Sequence, residues 1–323
     1  MSGIVEWYRD LMDKGQDPRT VGWFLVPSPG PTLTIVVTYI YFCVSAGPRY
    51  MKDKKPYDLK NTLIVYNFIQ VLLSLYLVYE GLVAGWLNDY NFICQPVDYS
   101  YNPNPVRMAR AVYTYFICKL IELLDTVFFV LRKKNRQISF LHLYHHSLMP
   151  VTAWIGAKFF AGGHPTLLGV INSFVHVFMY TYYMLAACGP HMHKYLWWKK
   201  YLTVIQIVQF VIIFLHNIQM LFTSCNFPKP LSFLLTLNAL IFIYMFGSFY
   251  VNNYVKADKQ REPKANGCAI ANSVAANGLA ANGSAANGSA ANGSASNGSA
   301  ANGAASDLFY TTSKNDMDHG KFD

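Results

Sequence analysis

Apolar positions in this chain come in long blocks, not at the short amphipathic intervals of a soluble core. Seven blocks are long enough to cross a hydrocarbon layer of about 30 Å as helices. They lie near residues 30–47, 62–86, 111–131, 138–160, 166–187, 202–222 and 231–254. The pattern predicts an all-α polytopic membrane protein with seven transmembrane helices. The first block follows a charged amphipathic segment and lacks a small-residue cleavage site, so it reads as a span and not as a removable signal.

Basic residues orient the spans. The segments after the first, third, fifth and seventh carry Arg49, Lys52, Lys54, Lys55 and Lys60; Arg132, Lys133, Lys134 and Arg136; Lys194, Lys199 and Lys200; and Lys256, Lys259, Arg261 and Lys264. The intervening segments are poorer in them, which places the N-terminus in the lumen and the C-terminus in the cytosol. The expected organisation is a lumenal segment over 1–29, a seven-span domain over 30–254 and a cytosolic tail over 255–323. Between about 265 and 305 the tail repeats Ala-Ala-Asn-Gly-Ser, too small and polar to build a core, and it is expected to be disordered.

Composition narrows the class further. The 323 residues are 53% hydrophobic and only 13% charged, about half the charged share of a soluble domain. Disordered, collagen-like and disulfide-scaffold proteins are excluded. The net charge of +9 lies in short segments between apolar blocks, so it marks membrane topology and not a nucleic-acid surface. Of six cysteines, Cys94 and Cys225 fall in the two long lumenal loops. They can pair in an oxidising lumen or remain free thiols, since spacing alone does not fix their separation.

Ionisable groups inside a span cost about 2.5–3.5 kcal/mol each on insertion scales, so each needs a partner, a wet cavity or a function. Lys119, Glu122 and Asp125 recur every three residues in the third span, within one sector of the helix. His142, His145 and His146 open the fourth on one face, a pattern suited to metal ligation or to handling protons and acyl groups. The fifth adds Asn172, His176 and Tyr180, and the sixth Thr203, Gln206 and Gln209. At 1.5 Å per residue Asp125, His145, His176 and Gln209 lie about 9–16 Å from the cytosolic ends of their helices. Below them the spans are mostly apolar. A polar layer reached from the cytosol above an apolar shaft suits a substrate with a charged head and a long hydrocarbon tail.

Four ordered motifs carry a resemblance: KLIELLDT at Lys119–Thr126, HLYHH at His142–His146, HVFMYTYY at His176–Tyr183 and TVIQIVQF at Thr203–Phe210. Over roughly residues 20–260 the chain resembles the ELO/ELOVL very-long-chain fatty acid elongases, and its wording looks like that of an animal member. The resemblance implies an endoplasmic reticulum condensing enzyme whose seven helices enclose an acyl-chain tunnel. Such an enzyme joins a long-chain acyl-CoA to malonyl-CoA and releases CO2 and CoA, with no bound cofactor and no metal. It implies His145 as the acyl-accepting nucleophile, although spacing alone does not separate it from His146, and His176 as its partner in acid/base work or malonyl binding. His142 and His146 would orient the nucleophile, with Glu122 and Asp125 accepting from those rings. Asn172, Tyr180, Gln206 and Gln209 would hold the thioester or enolate oxygen, with Lys119 in the same polar layer. Arg132, Lys133, Lys134, Arg136, Lys199 and Lys200 are the CoA-phosphate candidates. The expected partners are the 3-oxoacyl-CoA reductase, dehydratase and enoyl reductase of the cycle, with homodimerisation open and no nucleic acid. Family members often end in a dilysine signal, whereas this sequence reads His319-Gly320-Lys321-Phe322-Asp323. Two rivals remain. A membrane di-iron desaturase or hydroxylase shares the HxxHH box but needs about eight histidine ligands in several boxes, a poor match to one box, His176 and five scattered histidines. A seven-span receptor or transporter leaves the histidine layer unexplained.

Overall fold

The computed structural model describes residues 2–256, and every regular element among them is helical. The chain divides into two compact units, 1–246 and 247–323. The described part of the second is the last turn of a helix and a π turn at Val251–Val255. The five-residue repeat, Cys268 and the sequence around Lys321 lie outside the described residues.

Helix α1 (Ser2–Lys14) is followed by a short 3-10 turn at Pro18–Thr20. Helix α2 (Pro29–Tyr41), started by the Ser28 cap and a proline in its first turn, runs through a π turn into α3 (Gly47–Met51). Helix α4 (Lys60–Gly81) ends in a second π turn, Leu82–Trp86. Then come α5 (Pro103–Ile121), α6 (Leu123–Leu131), α7 (Phe140–Phe159), α8 (Thr166–Cys188), α9 (Lys199–Phe222) and α10 (Lys229–Tyr250).

Five continuous helical stretches, Pro29–Met51, Lys60–Trp86, Thr166–Cys188, Lys199–Phe222 and Lys229–Val255, are long and apolar enough to cross a membrane. They mark a multi-pass membrane protein. Large side chains on their outward faces, such as Val37, Val65, Leu215 and Leu234, are exposed as lipid-facing residues would be. The two remaining blocks of the sequence are helical as well but are more polar. Arg107, Arg110 and Lys119 interrupt α5, and the three histidines open α7. Of these, Lys119 and the histidines belong to the candidate site, whereas Arg107 pairs with Glu80 of α4.

The connections gather at opposite ends of the bundle. At one end Cys94 and Cys225 are disulfide-bonded, with their Cα atoms 5.7 Å apart, which ties the α4–α5 loop to the α9–α10 loop. Gly163, at φ +71°, presses on the same loop: an added Cβ would stand 3.0 Å from the Gln95 carbonyl oxygen and the Val97 nitrogen, so only glycine fits. At the other end the Tyr57 amide donates to the Leu131 carbonyl and the Lys133 ammonium to the Lys52 carbonyl. These are called the disulfide end and the basic end below.

The N-terminal segment closes the disulfide end through a buried ion pair. Arg19 donates to both Asp17 oxygens at 2.9 and 2.6 Å and to the carbonyls of Pro105 and Ala161 at 2.9 Å each. Both side chains are almost fully enclosed. Removing one partner of such a pair strands the other and costs about 3–5 kcal/mol. Arg19→Met is therefore expected to lower the melting temperature of the detergent-solubilised protein by roughly 10 °C, read by intrinsic tryptophan fluorescence. An unchanged melting temperature would show the segment to be undocked.

Candidate active site

The polar residues of α5, α6 and α8 form a ladder. Asn172, His176 and Tyr180 recur every four residues and so share one face of α8. Lys119, Glu122 and Asp125 meet them in the same order. The Lys119 ammonium donates to Asn172 Oδ1 at 2.8 Å, His176 Nδ1 lies 3.3 Å from Glu122 Oε1, and the Tyr180 hydroxyl donates to Asp125 Oδ2 at 2.9 Å. Lys119 also donates to both Glu122 oxygens, at 2.8 and 2.9 Å. A break between α5 and α6 centres on Glu122, where the Asp125 amide reaches back only three residues, to the Glu122 carbonyl.

The bonds assign the His176 tautomer. Glu122 is an acceptor at Nδ1, so that nitrogen carries the proton and Nε2 is left to accept from Asn172 Nδ2 at 3.3 Å. Asn172 Oδ1 is then free to accept from Lys119 and from the Tyr115 hydroxyl at 3.0 Å. All six ladder residues are buried.

The histidine box faces this ladder from α7. Ser139 caps the helix by accepting from the His142 amide. His142 Nε2 is 2.8 Å from the Thr126 hydroxyl, which is 2.7 Å from the Tyr39 hydroxyl of α2. The His146 ring is buried and packs with its centroid 4.2 Å from that of His142. His145 is half-buried, 5.3 Å from the Phe242 ring of α10, and within electrostatic reach of Lys119, Glu122 and His176. Pro150 has no N–H for the His146 carbonyl, which loosens α7 just past the box.

The bonding differs from the sequence expectation at two acidic residues. The resemblance has Glu122 and Asp125 accepting from the His142 and His146 rings. Lys119 and His176 occupy Glu122 instead, Tyr180 occupies Asp125, and Thr126 meets His142. The reason is register: the four-residue repeat of α8 sets its polar groups against the three-residue repeat of α5 and α6. The glutamines of α9 do not join the ladder. Gln206 Nε2 approaches the Met179 sulfur at 3.8 Å, and Gln209 is buried with Oε1 unpartnered among the described residues.

Arg132, Lys133, Lys134 and Arg136 lie in the α6–α7 connection, where Lys133 takes a left-handed turn (φ +53°). Lys199 and Lys200 begin α9. The topology brings both groups to the basic end. Sequence reading passed over several supporting side chains: Tyr66 and Gln70 of α4, joined at 3.0 Å, with Tyr66 beside Asp125, and Tyr115 of α5. Isolated polar residues such as Asn67 and Gln70 inside an apolar helix were the available signal.

Below the ladder is an apolar cavity of about 110 Å3. Its wall includes Tyr115, Met149, Gly156, Phe160, Val170 and Leu235, drawn from α5, α7, α8 and α10 and the loop after α7. Met149 follows His145 by one turn, and Phe160 lies at the disulfide end. Among the described residues no group of three or more His, Cys, Asp or Glu side chains has the geometry to hold a metal ion. The site therefore combines a histidine open on one side, a second histidine of fixed tautomer, buried donors and an apolar recess.

Comparison with known proteins gives a consistent result. A model of the GNS1/SUR4 (ELO) family matches residues 24–262. The chain is 48% identical to very long chain fatty acid elongase 7 of Drosophila melanogaster, over 82% of each protein. It is 49% identical to a very long chain fatty acid elongase of Aedes aegypti, over 81% of this chain and 73% of that one. It is 46% identical to human very long chain fatty acid elongase 1, over 82% of this chain and 95% of the relative.

Proposed function

The chain belongs to the GNS1/SUR4 family of very long chain fatty acid elongases, and from that premise we propose that it is a 3-oxoacyl-CoA synthase. It joins an acyl-CoA to malonyl-CoA through an acyl-histidine intermediate. The observation that carries this reading is the half-buried His145, within electrostatic reach of the Lys119–Glu122–His176 network and one helical turn from Met149 in the wall of an apolar cavity.

In the first half-reaction a His145 nitrogen attacks the thioester carbonyl carbon. The C–N bond forms, the C–S bond breaks, and CoA leaves as the thiol with the imidazole proton. In the second, malonyl-CoA loses CO2 and its enolate carbon attacks the acyl-imidazole. The new C–C bond forms, the C–N bond breaks and the imidazole takes up a proton. His176, with its proton held on Nδ1 by Glu122, turns Nε2 from its Asn172 partner to acid/base work chiefly in the second half. Lys119 supplies positive charge near the developing enolate.

The acyl tail runs into the cavity toward the disulfide end, and seven spans enclose it, with α5–α6 and α7 as the third and fourth. The disulfide end is lumenal, which a disulfide in an oxidising compartment supports. The basic end is cytosolic in the reticulum membrane, where its lysines and arginines meet the CoA phosphates and the reductase and dehydratase partners reach the product. The test is incubation of the purified full-length protein with a panel of acyl-CoAs and labelled malonyl-CoA. Label is expected in a 3-oxoacyl-CoA two carbons longer than the substrate. Stoichiometric iron together with no incorporated label would return the reading to a desaturase.

A further inference from the structure

The geometry points to Asn238 of α10 as the group that holds the carbonyl oxygen of the acyl thioester, an inference that rests on the condensing function proposed above. Asn238 lines the apolar cavity. The other polar side chains of that wall are engaged. The Tyr115 hydroxyl donates to Asn172, Thr152 to the Leu148 carbonyl, and Thr166 to the Gly163 carbonyl. Asn238 makes no side-chain hydrogen bond among the described residues, and its Oδ1 is buried without a partner. The Asn238 Nδ2–H group, with no partner in the wall of an apolar recess, is available to a hydrogen-bond acceptor carried by whatever enters it.

Position narrows what that ligand presents. Phe242 lies one helical turn after Asn238, about 6 Å along α10, and its ring packs against His145. Met149, one turn after His145 on α7, lines the same cavity. Asn238 thus stands at the mouth of the recess nearest the nucleophile and away from its Phe160 end. A plain fatty acyl chain carries a single hydrogen-bonding group, its carbonyl. Asn238 Nδ2 donates to that oxygen as the chain enters. The bond strengthens as the His145 nitrogen adds, the C–S bond breaks and negative charge passes through the oxygen.

The test uses two non-reactive acyl-CoA analogues on the full-length protein. One is a ketone, in which sulfur is replaced by methylene and the carbonyl kept. The other is a thioether, in which the carbonyl is replaced by methylene. Wild-type protein is expected to bind the ketone about tenfold more tightly, and Asn238→Leu, close in volume, to bind both equally with an unchanged melting temperature. In turnover with labelled malonyl-CoA, Asn238→Leu is expected to lower kcat/KM for acyl-CoA about 10²-fold, equally for short and long chains. A ketone preference that survives in Asn238→Leu overturns the assignment, as does a loss that grows with chain length. A wild-type protein that binds the analogues but incorporates no malonyl carbon would instead refute the condensing function.

Discussion

Lys119→Met is expected to cost the protein both its stability and nearly all of its elongation activity, and the double substitution Lys119→Met with Glu122→Gln to restore only the stability. The Lys119 ammonium is fully buried and bonded to both Glu122 oxygens and to Asn172. Removing it leaves a carboxylate in a low-dielectric interior with His176 as its remaining partner, at a cost of about 3–5 kcal/mol. Neutralising Glu122 as well removes the stranded charge. Such replacement of a buried pair by neutral groups is often tolerated.

Activity should follow a different course because the pair also sets the chemistry. Glu122 holds the proton on His176 Nδ1, whereas the amide introduced by Glu122→Gln can meet either tautomer. Loss of tautomer control in a histidine–carboxylate pair costs about 10⁴-fold in the well-studied hydrolases. Melting temperature and labelled malonyl-CoA incorporation, measured on the same preparations, separate the two roles. A double variant that is both stable and active would reduce the ladder to a structural ion pair.

The ladder also shows how far the sequence could be read. Clustering of Lys119, Glu122 and Asp125 at one spacing, and of Asn172, His176 and Tyr180 at another, was visible because helical periodicity puts each set on one face. Their pairing was not, because it depends on the axial register of α8 against α5 and α6. The break at Glu122 that adjusts this register has no proline or glycine to announce it. Thr126 was visible beside the acidic motif, but its hydroxyl bridges α2 and α7, far apart in sequence, and only tertiary packing chooses Tyr39 and His142 as its neighbours. The N-terminal segment misleads in the opposite direction. Asp17 and Arg19 lie in the charged segment before the first span, yet they are among the most enclosed ionic side chains of the described chain. Blocks of hydrophobicity identify spans, whereas burial of a charge depends on what folds over it.

His145→Ala is expected to abolish acyl transfer, lowering elongation by an order of 10⁴-fold or more, whereas His146→Ala retains the acyl-enzyme. Spacing does not separate these neighbours, but their surroundings do. His146 is buried with its ring tilted against that of His142, itself held by Thr126, an arrangement that fixes rings in place but leaves little room for an incoming thioester. His145 is half-buried, touches the ladder's field and stands one turn from Met149 at the cavity. Incubation with acyl-CoA in the absence of malonyl-CoA should raise the intact mass of wild-type protein by one acyl group, in an adduct that neutral hydroxylamine removes as an acyl-imidazole. His176→Gln should still form that adduct, because its Nε2 serves chiefly in the condensation that follows, and should fail to pass the acyl group on to malonyl-CoA. An adduct present in His145→Ala and absent in His146→Ala would move the nucleophile by one residue, to the ring that the packing argument places in support.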